Sequence, residues 1–239
     1  MIPASSIEIP GTLWTPIADD TPTGTLQTHD GHSLPSLAGY HVVRDDAPLP
    51  AIDAGHLYNY LLAGNGVFLQ AQRRELSVLL RIAPTQVRGL PVLRSRLRVR
   101  FPRVPVHLVR EMLSVAAEAA RDPNGGLEVL LYLTFREGRW HLTQPLQEQT
   151  HSSVQLAPDE ERESIMDALI DVHSHPFPSR AFSGTDNQSD GGAFRFAVLI
   201  ADPAGTPSLH ARLCVYGAFL EVPPSLLFEL PAELGGTGA

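Results

Sequence analysis

Hydrophobic and polar positions change rhythm along the chain. Residues 1–50 are rich in Pro, Thr, Ser, Gly and Asp, and 17-IADDTPTGTLQTHDGHSLPSLAGYHVV-43 reads as short strands parted by turns. In 55-GHLYNYLLAGNGVFLQAQRRELSVLLRIAP-84 the Asn65–Gly66 pair, set between two apolar runs, predicts a hairpin. RRELSVLLRI, next along, fits either a strand or a short helix. At 94–103, RSRLRVRFPR alternates arginine with apolar residues, so Leu97, Val99 and Phe101 face one way and Arg96, Arg98 and Arg100 the other. The plainer reading is an edge strand blunted by charge, and the functional one is a basic strip that docks an acidic partner. Pro102 and Pro105 end the pattern. Residues 1–103 are thus expected to be a mostly β region of undefined role.

From residue 106 the period lengthens. In VHLVREMLSVAAEAARD, Leu108, Met112, Val115, Ala116 and Ala119 share one helical face, and PNGG stops the helix. LEVLLYLTF predicts a strand and REGR a tight turn. WHLTQPLQEQ and THSSVQL read as further strand material. PDEERESIMDA predicts a short helix with Asp159 as its cap. LIDVHSH is a strand, followed by a polar loop to about Gly192. AFRFAVLIAD and ARLCVYGAFLEV are two more strands, and PPSLLFEL ends near a helical turn. Helix, strands, helix, strands indicate an α/β fold with a mixed α+β sheet over 104–239. No internal repeat is visible.

Composition narrows the class. With 239 residues, 43% of them hydrophobic, the chain can bury a core as one large domain or two small ones. A net charge of −8 argues against nucleic acid as the main ligand. One cysteine, Cys214, excludes a disulfide framework and a multi-cysteine zinc site within one chain; in RLCVYG it reads as a small buried hydrophobe. No basic-then-apolar leader and no apolar run near 18 residues are present, so a soluble, cytoplasmic protein without membrane contact is expected.

The chemistry concentrates in 171-DVHSHPFPSRAFSGTD-186. On a strand His173 and His175 point the same way, with Cα atoms about 6.6 Å apart, so their imidazoles can converge on one ion. Asp186, brought back by a loop bent at Pro176, Pro178 and Gly184, can add a carboxylate oxygen. Two histidines and one carboxylate leave one tetrahedral position open, the mark of a catalytic rather than a structural zinc site, although other divalent ions take such ligands. Ser183 can donate to an oxyanion formed at a carbonyl, or cap a turn or helix, or do both. A bare H-x-H often marks only packing or hydrogen bonding. Asp171, on the same strand face, either orients a histidine ring or is solvated.

The full spacing is more specific than its parts. His173, Ser174, His175, seven residues, then Ser183, two residues, Asp186 resembles the JAMM motif of the MPN metalloprotease family, and Pro176 matches its usual proline. The resemblance covers about 106–225 and implies an MPN/JAB-like, cytidine-deaminase-like domain holding Zn2+ through His173, His175 and Asp186. It further implies a glutamate on the strand after the first long helix, a place held here by Glu128. In the family this group takes a proton from the activated water and passes it to the leaving amine. The family often follows that glutamate with glycines, whereas VLLYLTF follows here. Glu118, Glu137 and Glu148 lack the helix–turn–strand setting, and Glu128 as a solvated residue opening an edge strand is the plainer alternative. The polar connection after Asp186 is short, unlike the longer insertion of relatives that select one ubiquitin linkage. The arrangement is similar to bacterial members, among them protein A of the PRTRC system, whose cassette also encodes a ThiF-like activating enzyme. That similarity implies a ubiquitin-like or sulfur-carrier-like protein as substrate or partner.

Three readings compete. The first is a zinc-dependent hydrolase of peptide or isopeptide bonds. The second is a scaffold of the same fold without catalysis, disfavoured because every fixed motif position is filled. The third, an amidohydrolase barrel using DVHSH, fails because 64 residues and a single histidine, His210, follow His175, while such a barrel needs roughly 200 or more residues. His141, His151, His210, Tyr132 and Trp140 are expected in packing roles.

Overall fold

Six strands of the first half pair in one sheet and six of the second half in another. The computed structural model describes residues 5–8, 37–45, 47–123, 126–157, 167–179, 181–232 and 234. Most of the helix expected over PDEERESIMDA, Asp159 included, lies outside them; only its last two residues, Asp167 and Ala168, are described. The chain divides into two compact units, Met1–Phe101 and Pro102–Ala239.

The first unit contains β1 (Ser5–Glu8), β2 (Ala38–Val42), β3 (Tyr58–Ala63), β4 (Gly66–Arg73), β5 (Leu76–Pro84) and β6 (Arg96–Val99), in the order β1-β6-β5-β4-β3-β2. RRELSVLLRI is therefore a hairpin turn at Arg74–Glu75 followed by strand β5, not helix. The hairpin expected at Asn65–Gly66 joins β3 to β4, but Ala63 pairs with Gly66, so the two loop residues are Gly64 and Asn65. Leu97 and Val99 are buried and Arg96 and Arg98 exposed, in the alternation expected of β6. β6 is not an edge, because β1 covers its outer side. Local alternation carries no information about which strand comes next in the sheet.

The second unit opens with α1 (Val106–Ala120), which buries Val109, Met112, Ala116 and Ala117. The stripe expected through Met112 and Ala116 is present but leans towards Val109 rather than Leu108, which flanks it one turn back on the other side. Then come β7 (Leu130–Arg136), β8 (Arg139–Thr143), the small ribbon β9 (Gln147–Gln149) with β10 (Val154–Leu156), and β11 (Ile170–His175). The loop after β11 contains α2 (Gly184–Asp190), and β12 (Phe194–Ala201), β13 (Ser208–Val215) and β14 (Ala218–Val222) complete the sheet in the order β14-β13-β12-β11-β7-β8.

Two expectations need correction. The polar loop to Gly192 contains helix α2, whose sequence GTDNQSD has no apolar period to reveal it. ARLCVYGAFLEV is two strands, because Tyr216 and Gly217 take positive φ (45° and 92°) and turn the chain back. Positive φ is rare for tyrosine, so YG gives little turn signal, whereas Glu137–Gly138 makes the tight turn expected of REGR. PPSLLFEL contains a 3₁₀ turn, Pro224–Leu226. Among the described residues no helix is long and apolar enough to cross a membrane.

β11 positions the site. It pairs antiparallel with β7 on one side and parallel with β12 on the other, so the sheet is mixed. A parallel pair needs a crossover, and the β11–β12 crossover carries α2 back over the C-terminal end of β11. Every residue of β11 is buried. Side chains at that strand end therefore look into a space roofed by the crossover.

Candidate metal centre

His173 and His175 lie on one face of β11, their ring centroids 5.2 Å apart. α2 supplies the third group. Ser183 caps it: the Asp186 N–H donates to Ser183 Oγ (3.1 Å), and the Ser183 N–H donates back to Asp186 Oδ2 (2.5 Å), a reciprocal capping box. The box fixes the Asp186 carboxylate over the strand end. Its Oδ1 lies 3.4 Å from His173 Nε2 and its Oδ2 3.7 Å from His175 Nε2. One ligand atom from each of the three residues can be chosen so that all lie within 4.8 Å of one another.

This arrangement fits a metal. A tetrahedral ion with bonds of about 2.0–2.1 Å holds its ligand atoms about 3.3–3.4 Å apart, close to the separations found. His173 Nε2 is buried without a hydrogen-bond partner, an orphan that a metal ion would satisfy. The donors, two imidazoles and a carboxylate, suit zinc and other borderline divalent ions.

Glu128 is buried beside the three donors, with Oε1 3.9 Å from His175 Nε2. It precedes β7 rather than lying on it, and β7 sits between β11 and β8, so Glu128 neither opens an edge strand nor is solvated. Its backbone is held on both sides. The Glu128 N–H donates to Thr150 O (2.8 Å), and Gln149 Nε2 donates to Glu128 O (2.6 Å). Ser174, the middle residue of HSH, points to the opposite face of β11, and its Oγ accepts from the Val129 N–H (3.0 Å) while its own N–H donates to Val129 O. The serine between the histidines thus ties the Glu128 segment to the strand that carries them. Gly126 (φ 78°) turns the chain from α1 into this segment, and a Cβ there would stand 2.9 Å from Ala120 O and 3.1 Å from Pro176 Cβ. Of the four glutamates weighed from sequence, only Glu128 lines the cavity.

Burial pushes the Glu128 carboxyl up to about 7, His173 opposing and Asp186 adding to the rise. Burial would also raise Asp186, but the His173 ring and the Ser183 groups outweigh it and hold Asp186 well below the usual carboxylate range. On His173 burial opposes charge, yet the facing Asp186, with Asp171 and Asp190 behind it, draws the pKa up. His175 is lowered, by burial first and by His173 second. Asp171 is buried, not solvated, and gives its carboxylate to Arg195 Nη2 (2.8 Å); burial pushes it up to about 6 against that partner.

These groups form one wall of a cavity of about 520 Å3. Phe177, Thr185, Tyr132 and Arg195 also line it, as do Ser152 to Leu156, including β10. Tyr132 is therefore a cavity residue, although sequence placed it only in packing. Arg195 on β12 and Arg212 on β13 were not singled out from sequence. The available signal was an arginine inside an otherwise apolar strand, since a buried guanidinium requires a carboxylate nearby.

No curated protein matches the chain. A solved structure described as “JAMM: A Metalloprotease-like Zinc Site in the Proteasome and Signalosome” is 18% identical over 55% of this chain and 98% of that one, with a TM-score of 0.33. Residues 107–213 match the family model described as prokaryotic homologs of the JAB domain, and the second unit accordingly carries a JAB/MPN-type fold.

Proposed function

We propose that the second unit is a zinc-dependent hydrolase of peptide or isopeptide bonds. The carrying observation is that Glu128 lies buried against His173, His175 and Asp186 in the wall of one cavity, with its carboxyl pushed up to about 7. His173, His175 and Asp186 would hold the zinc, which would supply an acidified water and a polarised carbonyl. Glu128, buried beside the three donors with Oε1 3.9 Å from His175 Nε2, would be the group to take up a proton from the attacking water and pass it to the departing nitrogen. The Ser183 oxygen is occupied as an acceptor from the Asp186 N–H, which leaves its own proton to donate to the oxyanion.

The strand β10 in the cavity lining favours an extended chain as substrate. β10 pairs with β9 on one side, and its other side, among the described strands, has no neighbour. An edge strand beside a hydrolytic centre can take a peptide by strand addition, leaving backbone hydrogen bonds to hold the scissile bond in place. By resemblance the substrate is the tail of a ubiquitin-like or sulfur-carrier-like protein, with a ThiF-like activating enzyme as partner. The test is zinc content together with cleavage of ubiquitin-like fusions. Wild type cleaves, while Glu128→Gln keeps its zinc and loses at least about 10²-fold in kcat. Stoichiometric zinc with no cleavage by wild type would favour a non-catalytic scaffold of the same fold.

A further inference from the structure

The carboxylate ligand stands on the least self-sufficient element of the site. α2 has seven residues, GTDNQSD, too few to be stable as an isolated helix and with no apolar stripe to bury. Its N-terminal end is closed by the capping box, but that box spends the Asp186 side chain on the helix itself. Something else must hold the helix against the sheet.

Arg212 does this. It lies on β13, between β12 and β14, and is buried. Its Nη1 donates to Asn187 Oδ1 (2.5 Å) and its Nη2 to Asp190 Oδ2 (2.8 Å), so the planar fork grips two residues three apart on one face of α2. The guanidinium also lies against two rings, Phe182 at 3.8 Å and Phe219 at 4.2 Å from centroid to Cζ. Phe182 immediately precedes the cap Ser183 and meets the His173 ring edge-on at 5.7 Å. It also packs on Ala197, Cys214 and Phe219 of the sheet. One side chain thereby fixes both the entry to α2 and its last turn.

We propose that Arg212 is a positioning residue of the metal centre: by forking onto Asn187 and Asp190 and stacking on Phe182, it holds α2 where Asp186 faces His173 and His175. The inference rests on the metal reading of those three residues. Arg212 touches no ligand atom and acts through the helix.

The test is zinc affinity in the full chain, by competition with a chromophoric chelator, and the visible spectrum of the cobalt(II) form. Melting and circular dichroism of the metal-free protein accompany both. Arg212→Lys keeps a cation for Asp190 but loses the planar fork, and Asn187→Ala removes one arm without leaving a buried charge. Both are expected to bind zinc about 10–100-fold more weakly, with an altered cobalt spectrum and a metal-free fold like wild type. Asp186→Ala, in the same assay, should abolish stoichiometric binding. If wild type binds and both variants match it, the positioning role is overturned and the metal reading stands. If affinity falls only as far as folded protein is lost, the role is likewise overturned. If wild type itself fails to bind, the metal reading falls and this inference with it.

Discussion

At the scale of single residues, the cavity sets two acids apart. Asp186 is held ionised by His173 and Ser183, while burial pushes the Glu128 carboxyl, 3.9 Å from His175 Nε2, up to about 7. On the proposed hydrolase reading, such a split would separate a ligand from a proton carrier. It has a cost in the metal-free protein. The folded pKa of Glu128 lies above its unfolded value, so its favourable contribution is complete below about 4.5 and is lost as pH rises to about 7. Glu128→Gln is therefore expected to stabilise the metal-free protein above pH 7, by about 1–2 kcal/mol once screening by water in the cavity is allowed for. The gain should vanish near pH 4.5. Urea melts of the two proteins at several pH values check this, and an equal gain at all pH values would contradict it. Ser183 offers a second separation. Ser183→Ala should cost about 1 kcal/mol of stability as a lost cap, and Ser183→Gly only a few tenths. If the hydroxyl also serves the oxyanion, both variants lose about 10²–10³ in kcat despite that difference. Full activity in the glycine variant would leave Ser183 as a cap alone.

At the scale of elements, the site is a junction of three segments: β11, the stretch before β7, and α2. Ser174 joins the first two. Ser174→Ala leaves the buried Val129 N–H without its acceptor and should cost about 1–3 kcal/mol in thermal or chemical denaturation. Because the change loosens Glu128 and not the histidines, kcat should drop while zinc stoichiometry stays at the wild-type level. A variant that loses zinc first would place Ser174 in support of the ligands instead. The same junction explains what was legible in the sequence. His173 and His175 share a face by the period of a strand, and Asp186 is close in sequence, so the three donors could be read together without any fold. Glu128 sits 45 residues before His173, and spacing alone could not select it from four glutamates. The JAMM resemblance did so, and burial now separates it from Glu118, Glu137 and Glu148. α2 escaped because a short polar helix has no hydrophobic period. Arg212 escaped because its partners, Asn187 and Asp190, lie on another element more than twenty residues earlier. β6 was read as a strand correctly but as an edge wrongly, since neighbour order is settled by pairing between distant segments.

At the scale of the whole molecule, a metal held as proposed would compete with protons for one site, and that competition should govern stability. Each histidine must be neutral to bind zinc, and His173 in the metal-free protein has its pKa drawn above the ordinary histidine value by Asp186, Asp171 and Asp190. Zinc would therefore have to displace a proton from His173 at a higher pH than from an ordinary histidine. Falling pH should weaken binding, with an onset at higher pH than for an ordinary histidine, and binding should release protons where His173 is still charged. The opposing shift on His175 places its competition at lower pH, so the loss of affinity should steepen as the second ring begins to protonate. Folding is linked to the same events. Free zinc at about 100 times its dissociation constant adds about 2.7 kcal/mol to the unfolding free energy, and the increment should shrink as pH falls. Differential scanning calorimetry of the full chain with and without zinc, at pH 8, 7 and 6, measures that increment directly. The two units, Met1–Phe101 and Pro102–Ala239, provide an internal control, since all three ligands lie in the second. If the units melt separately, only the transition of the second should move with zinc. A zinc-dependent shift that is the same at all three pH values would mean that the ion sits on groups other than these histidines.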